Sequence, residues 1–124
     1  IVLSRLEDIL LLKAEALCAL NRPQDAIVCL NLLRSNRNLA LRSLQRDYLD
    51  DTKLLLKAIF DERHREFMGE GHYWFDRVRR ARLLGDEPEL VKLVNEEAIY
   101  WPVSEEVMKA NPLIEQTACW NNKK

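Results

Sequence analysis

The residues best equipped for chemistry fall between positions 61 and 82. Glu62, His64, Glu66, Glu70 and His72 bring carboxylates and imidazoles together, the groups that ligate zinc or move protons. Their spacing argues against both uses. No His-Glu-x-x-His is present, and Gly69 and Gly71 interrupt the helix that would have to align the ligands. Glu62 and Glu66 stand one turn apart beside Arg63 and Arg65, the arrangement of a salt-bridged helix face. A basic run, Arg77, Arg79, Arg80 and Arg82, is the candidate for gripping phosphate. It lies late in a predicted helix, where cations suit the dipole, so a solvated or internally paired face accounts for it better. Cys18, Cys29 and Cys119 fit no zinc or redox spacing. The first two fall in predicted helices, where cysteine acts as a small buried hydrophobe, although a Cys18–Cys29 disulfide stays open. No catalytic residue, metal or cofactor is expected.

The elements that must carry these residues are helical. The chain has 124 residues, enough for one domain, with 48% apolar and 31% charged residues, a globular composition. Nineteen Lys and Arg against twenty Asp and Glu leave a net charge of −1, which excludes a protein built chiefly for nucleic acid or anionic lipid. Three glycines and four prolines are too few for a many-stranded sheet. No apolar run approaches the roughly 20 residues of a transmembrane helix. The chain opens in helical pattern without a methionine, so it is expected to be a piece of a longer protein.

A first helix is predicted over 3–20, with Leu6, Ile9, Leu10, Lys13, Ala14 and Leu17 recurring at helical steps. Asn21-Arg22-Pro23 breaks it, and a second helix follows to about Arg34 with Ala26, Ile27, Leu30 and Leu33 on one face. So short a turn forces an antiparallel αα-hairpin over 1–34. Ala14 and Ala26 would let the backbones approach closely, as in a tetratricopeptide repeat. A polar loop and a short irregular helix are expected over 35–51. A signature helix pair then fills 53–84, its third helix running from Lys53 to Met68 with Leu55, Ala58, Ile59 and Phe67 inward. The fourth, from His72 to Leu84, should carry Trp74, Phe75 and Val78 inward. A further short helix is expected over 89–97. The tail, 99–124, starts extended at Trp101-Pro102, has a short helix capped by Ser104, and ends as irregular coil. Between the third and fourth helices, charged residues on apolar faces need partners, so Arg63 and Arg79 are expected to pair with Glu66, Glu70 and Asp76.

That central segment resembles the signature of the SusD/RagB family of outer-membrane nutrient-binding lipoproteins. Glu62, Arg63, Glu66, Phe67, Gly69, Glu70, Gly71, His72, Trp74, Phe75, Asp76 and Arg79 fit its run of Glu-Arg, Glu-Phe, Gly-Glu-Gly-His, Trp-Phe-Asp and a following basic stretch. Arg5-Leu6 and Ala14-Glu15-Ala16 are similar to an upstream helix motif, and Trp101-Pro102-Val103, Asn111-Pro112, Gln116 and Trp120 to the closing elements. Ser104 and Thr117-Ala118-Cys119 depart from the pattern.

The resemblance implies an all-α fold of tetratricopeptide-like helix pairs, of which 1–124 would be the C-terminal part. It implies a cell-surface protein, held to the outer membrane by a lipid anchor outside this segment. Such proteins capture oligosaccharides or other nutrients for a TonB-dependent transporter. Ligand contacts would come mainly from upstream, leaving Trp74, Trp101 and Trp120 packed in the core. A generic helical-repeat module for protein partners is the alternative. Cutting a repeat array exposes an apolar face, so self-association of the isolated piece stays open.

Overall fold

The computed structural model describes residues 5–121, so the first four and the last three positions of the expected elements lie outside the described residues. The described residues form eight α-helices and no strand, and no helix is long and apolar enough to cross a membrane. Helix α1 (Leu6–Ala19) and helix α2 (Pro23–Asn36) make the hairpin. Glu7 and Asp8 in the first turn of α1 suit its dipole. Its end is turned by Asn21 at a φ of 55°, a left-handed conformation that asparagine tolerates, and Pro23 opens α2 with φ already preset. Ala14 and Ala26 are fully buried in one core with Leu17, Ile27, Leu30 and Leu33.

The inward face of α1 is only partly the expected one, since Ala14 and Leu17 turn inward but Leu6 and Ile9 do not. Leu6 and Ile9 are 67% and 54% exposed, whereas Leu11, Ala14, Leu17 and Cys18 are buried together with Asp8 and Glu15. Apolar residues surround most of this helix, so periodicity alone does not select a side. The face bearing the two carboxylates turns inward because arginines wait there.

Helix α3 (Leu44–Tyr48), capped by Ser43, places Tyr48 in the core. Helix α4 (Thr52–Glu66) packs on both helices of the hairpin through Leu55, Leu56, Ile59 and Phe60. Its cap is Asp51, whose carboxylate accepts from the Lys53 N–H at 2.7 Å. The expected inward Ala58 is only half-buried, and the helix ends two residues earlier than predicted. Gly69 and Gly71, both at a φ of +82°, reverse the chain.

Helix α5 (Tyr73–Leu84) lies between α4 and helix α6 (Pro88–Asn95) and ends at Gly85, φ +67°. A second small core joins Ala81, Leu90 and Val94 with half-buried Val78, Val91 and Ile99. Helix α7 (Glu105–Ala110) starts at its Ser104 cap. The end of the tail is not all coil, since helix α8 (Ala118–Asn121) forms there. The Gln116 side-chain amide holds the tail, accepting from the Val103 N–H at 3.1 Å and donating to the Val103 carbonyl at 2.9 Å.

Candidate functional site

Arg63 sits at the centre of the molecule with 1% of its surface exposed. Its Nε donates to Asp76 at 2.9 Å, and its Nη2 lies 2.9 Å from Asp8 Oδ1. The other Asp76 oxygen accepts from Arg79 Nη2 at 2.7 Å. Arg79 in turn forks onto Glu15, at 2.9 and 3.1 Å. The result is a continuous relay, Asp8–Arg63–Asp76–Arg79–Glu15, that begins and ends on α1 and passes through α4 and α5. Charges this far from water are tolerable only when each is paired and hydrogen-bonded.

Glu66 and Glu70 belong to a second cluster instead of joining Arg63 and Arg79. Arg5 contacts Glu66 at 2.8 Å and forks onto Glu70 at 2.7 and 3.2 Å. Arg37 reaches Glu66 at 2.6 Å and Glu7 at 2.9 Å. Hydrogen bonds from Arg37 and then Arg5 hold the Glu66 carboxyl below the ordinary glutamate range, against the opposing effect of burial. Phe67, almost fully buried, joins the two clusters. The Arg5 guanidinium lies 4.6 Å and that of Arg63 5.2 Å from its ring centroid, and the His72 ring is 4.8 Å away. A third buried pair, Arg34–Glu62 at 2.7 Å, ties α2 to α4.

The candidate chemistry dissolves in this geometry. His64 packs its ring against Tyr73 at 4.4 Å, tilted by 58°, whereas His72 packs against Phe67. Among the described residues no group of three or more His, Cys, Asp or Glu could hold a metal ion. Arg77 pairs with Glu87, and Arg80 pairs with Asp61 and Asp86, so the basic run is largely neutralised within the fold. A recess of about 250 Å³ between α4 and α5 is lined by these already paired charges together with His64 and Tyr73. Cys18 and Cys29 are both free thiols, and burial pushes that of Cys18 up to about 11.

Sequence reasoning missed Arg5, Asp8, Glu15, Arg34 and Arg37 as members of these clusters. Asp8 and Glu15 did leave a signal. They are two turns apart, in line with Leu11 and Cys18, which places acids on an otherwise apolar stripe.

The aromatic residues are a clear correction. Trp74, Phe75 and Trp101 are 44%, 66% and 91% exposed, and Trp120 is only half-buried. Neither the inward placement of Trp74 and Phe75 nor the core packing of the three tryptophans holds in this structure. The relay is the cause. Asp76 and Arg79 point one side of α5 toward α1 and α4, which leaves Trp74, Phe75 and Arg82 outward. With Ile99, Tyr100 and Trp101 they line two adjoining clefts of about 600 and 570 Å³. Trp120 closes one edge, its Nε1 donating to the Tyr100 carbonyl at 2.8 Å.

Comparison with known proteins gives this arrangement a context. The family model described as the SusD family matches residues 1–120. A SusD-like protein of Formosa agariphila is 34% identical over 123 residues, covering 94% of this chain and 24% of the relative. A crystal structure of a SusD superfamily protein from Bacteroides thetaiotaomicron superposes with a TM-score of 0.89 at 49% identity, over 94% of this chain and 26% of that one. The chain thus spans about a quarter of the length of these relatives. On its helical architecture and the match along nearly its whole length, the chain belongs to the SusD family.

Proposed function

We propose that this chain is the C-terminal helical part of a longer, cell-surface nutrient-binding lipoprotein, and that it supplies scaffold, not catalysis. The observation that carries this reading is the mutual neutralisation of the signature charges. Arg63, Asp76, Arg79, Glu66 and Glu70 are spent on holding helices together, which leaves no free acid–base pair among them. Gly69, Gly71 and His72 shape the turn between α4 and α5, and Phe67 fills the space between two arginines. Family membership supports capture of an oligosaccharide or another nutrient by the whole protein, with delivery to a TonB-dependent outer-membrane transporter. The lipid anchor and most ligand contacts would lie outside this segment.

The test is genetic and biochemical. Disrupting the gene should abolish growth on one class of glycan while leaving growth on simple sugars intact. The full-length protein should be retarded in affinity gels containing that glycan and should co-purify with the transporter. Unchanged growth on every glycan, with no retardation, would overturn the reading.

A further inference from the structure

The recess of about 250 Å³ between α4 and α5 combines features that the scaffold itself does not require. Its floor is Phe60, 3% exposed, and one wall is the tilted pair of His64 and Tyr73 rings, both open to solvent. Around them stand two ion pairs. Arg77 donates from Nε to Glu87 at 3.1 Å, and Arg80 donates from Nη1 to Asp61 at 3.0 Å. Three acids, Asp61, Asp76 and Glu87, face three arginines, Arg65, Arg77 and Arg80, so the lining is balanced in charge. The pairs do not exhaust their groups. Among the described residues, Asp61 Oδ2 accepts no hydrogen bond and Arg77 Nη1 donates none, and the Tyr73 hydroxyl and the His64 ring nitrogens are likewise unengaged.

An ion gains little in such a lining. An anion brought to the guanidiniums meets Asp61 and Glu87, and a cation brought to the carboxylates meets Arg77 and Arg80. A hydroxyl suits both members of a pair, because it donates to a carboxylate and accepts from a guanidinium. Several hydroxyls on one ring would use both pairs at once, while the C–H groups of that ring rest on Phe60, His64 and Tyr73. The volume lies below the roughly 300–1,000 Å³ of pockets for drug-sized ligands, which limits the occupant to a single ring. The walls are set before a ligand arrives, since Arg63–Asp76 fixes α5 against α4 and Arg80 joins Asp61 to Asp86. We infer that this recess binds one neutral polyhydroxylated ring, a single sugar unit, through the Arg77–Glu87 and Arg80–Asp61 pairs. The inference rests on the nutrient-capture reading and deepens it, by placing one ligand contact inside a segment otherwise given to scaffold.

The experiment is a titration of the natural full-length protein carrying isotope-labelled histidine. It is followed by nuclear magnetic resonance at the His64 ring, whose signal is assigned by its loss in His64→Gln. The probes are the methyl glycosides of glucose, galactose, mannose and xylose. At least one should shift the His64 signal saturably, with a Kd of millimolar order. Sodium phosphate and methylammonium chloride should not. Glu87→Gln keeps the shape of the side chain and should weaken the sugar at least about tenfold, the worth of a hydrogen bond to a charged group. Tyr73→Leu removes the ring without touching an ion pair, should weaken the sugar as well, and serves if Glu87→Gln does not fold. No saturable shift with any glycoside would overturn the inference, while the nutrient-capture reading would still stand or fall on its own gel retardation. Saturation by phosphate in place of the glycosides would make the recess an anion site. Unchanged affinity in the folded variants would put the sugar elsewhere. Each of those two results also overturns the inference. Weaker retardation of Glu87→Gln in the glycan gel would assign the bound unit to the captured glycan, and unchanged retardation would assign it to a free monosaccharide. Both keep the recess as a sugar site.

Discussion

Arg63 gives up almost all contact with water on folding, so its stability is tied to the two aspartates that face it. Truncating Arg63→Ala leaves Asp8 and Asp76 buried beside a void, and the expected cost is about 3–5 kcal/mol. Chemical denaturation checks this, and a midpoint equal to that of the wild type would show that water reaches the site. Glu66 gives a pH-dependent counterpart. Its folded-state pKa lies below the unfolded one because Arg37 and Arg5 donate to the carboxylate. Its contribution is therefore complete above the unfolded value of about 4.3 and is lost as pH falls through the folded value. Glu66→Gln should lower stability most at neutral pH and progressively less in acid. Denaturant midpoints from pH 7 to pH 3 would reveal this, and a pH-independent difference would contradict it. At this scale the sequence showed which charges needed partners, and Arg63–Asp76 and Arg79–Asp76 were among the expected pairs. It did not show Asp8, Glu15 or Arg37, because pairings across 29 to 64 residues leave no local pattern apart from an acid on an apolar stripe.

Helix ends were the most legible elements. Pro23 and Ser104 each act on the backbone within a few residues, so their local chemistry predicts the boundary without knowledge of the fold. Helix faces were less legible where apolar residues run all round, as in α1, or where ion pairs set the rotation, as in α5. The hairpin core offers a test. Ala26 is fully enclosed, so Ala26→Leu should force α1 and α2 apart at a cost of about 1–3 kcal/mol, measured by thermal or chemical unfolding. A neutral result would show slack in the packing. Gly71 probes backbone alone. A Cβ there meets nothing within 4 Å, yet φ is +82°. Gly71→Ala should therefore cost about 1–2 kcal/mol from conformation and nothing from collision. A larger loss would mean that the turn is packed more tightly than its surroundings indicate.

Across the whole molecule, the all-helical class followed from composition, yet the final positions of the aromatics did not, since the face they occupy depends on long-range charges. The relay also has a temporal consequence. Glu15 meets Arg79 across 64 residues of chain, whereas α1 and α2 are neighbours in sequence. Contacts between adjacent helices can form early, but the relay closes only when both distant ends have arrived, and its ions stay hydrated until then. It should be absent from the rate-limiting transition state of folding. Asp76→Asn would then accelerate unfolding and leave refolding nearly unchanged in stopped-flow measurements, whereas a slowed refolding limb would place the relay in the nucleus. On this account the buried charges act as a latch against opening, setting how long the folded state lasts more than how quickly it is reached.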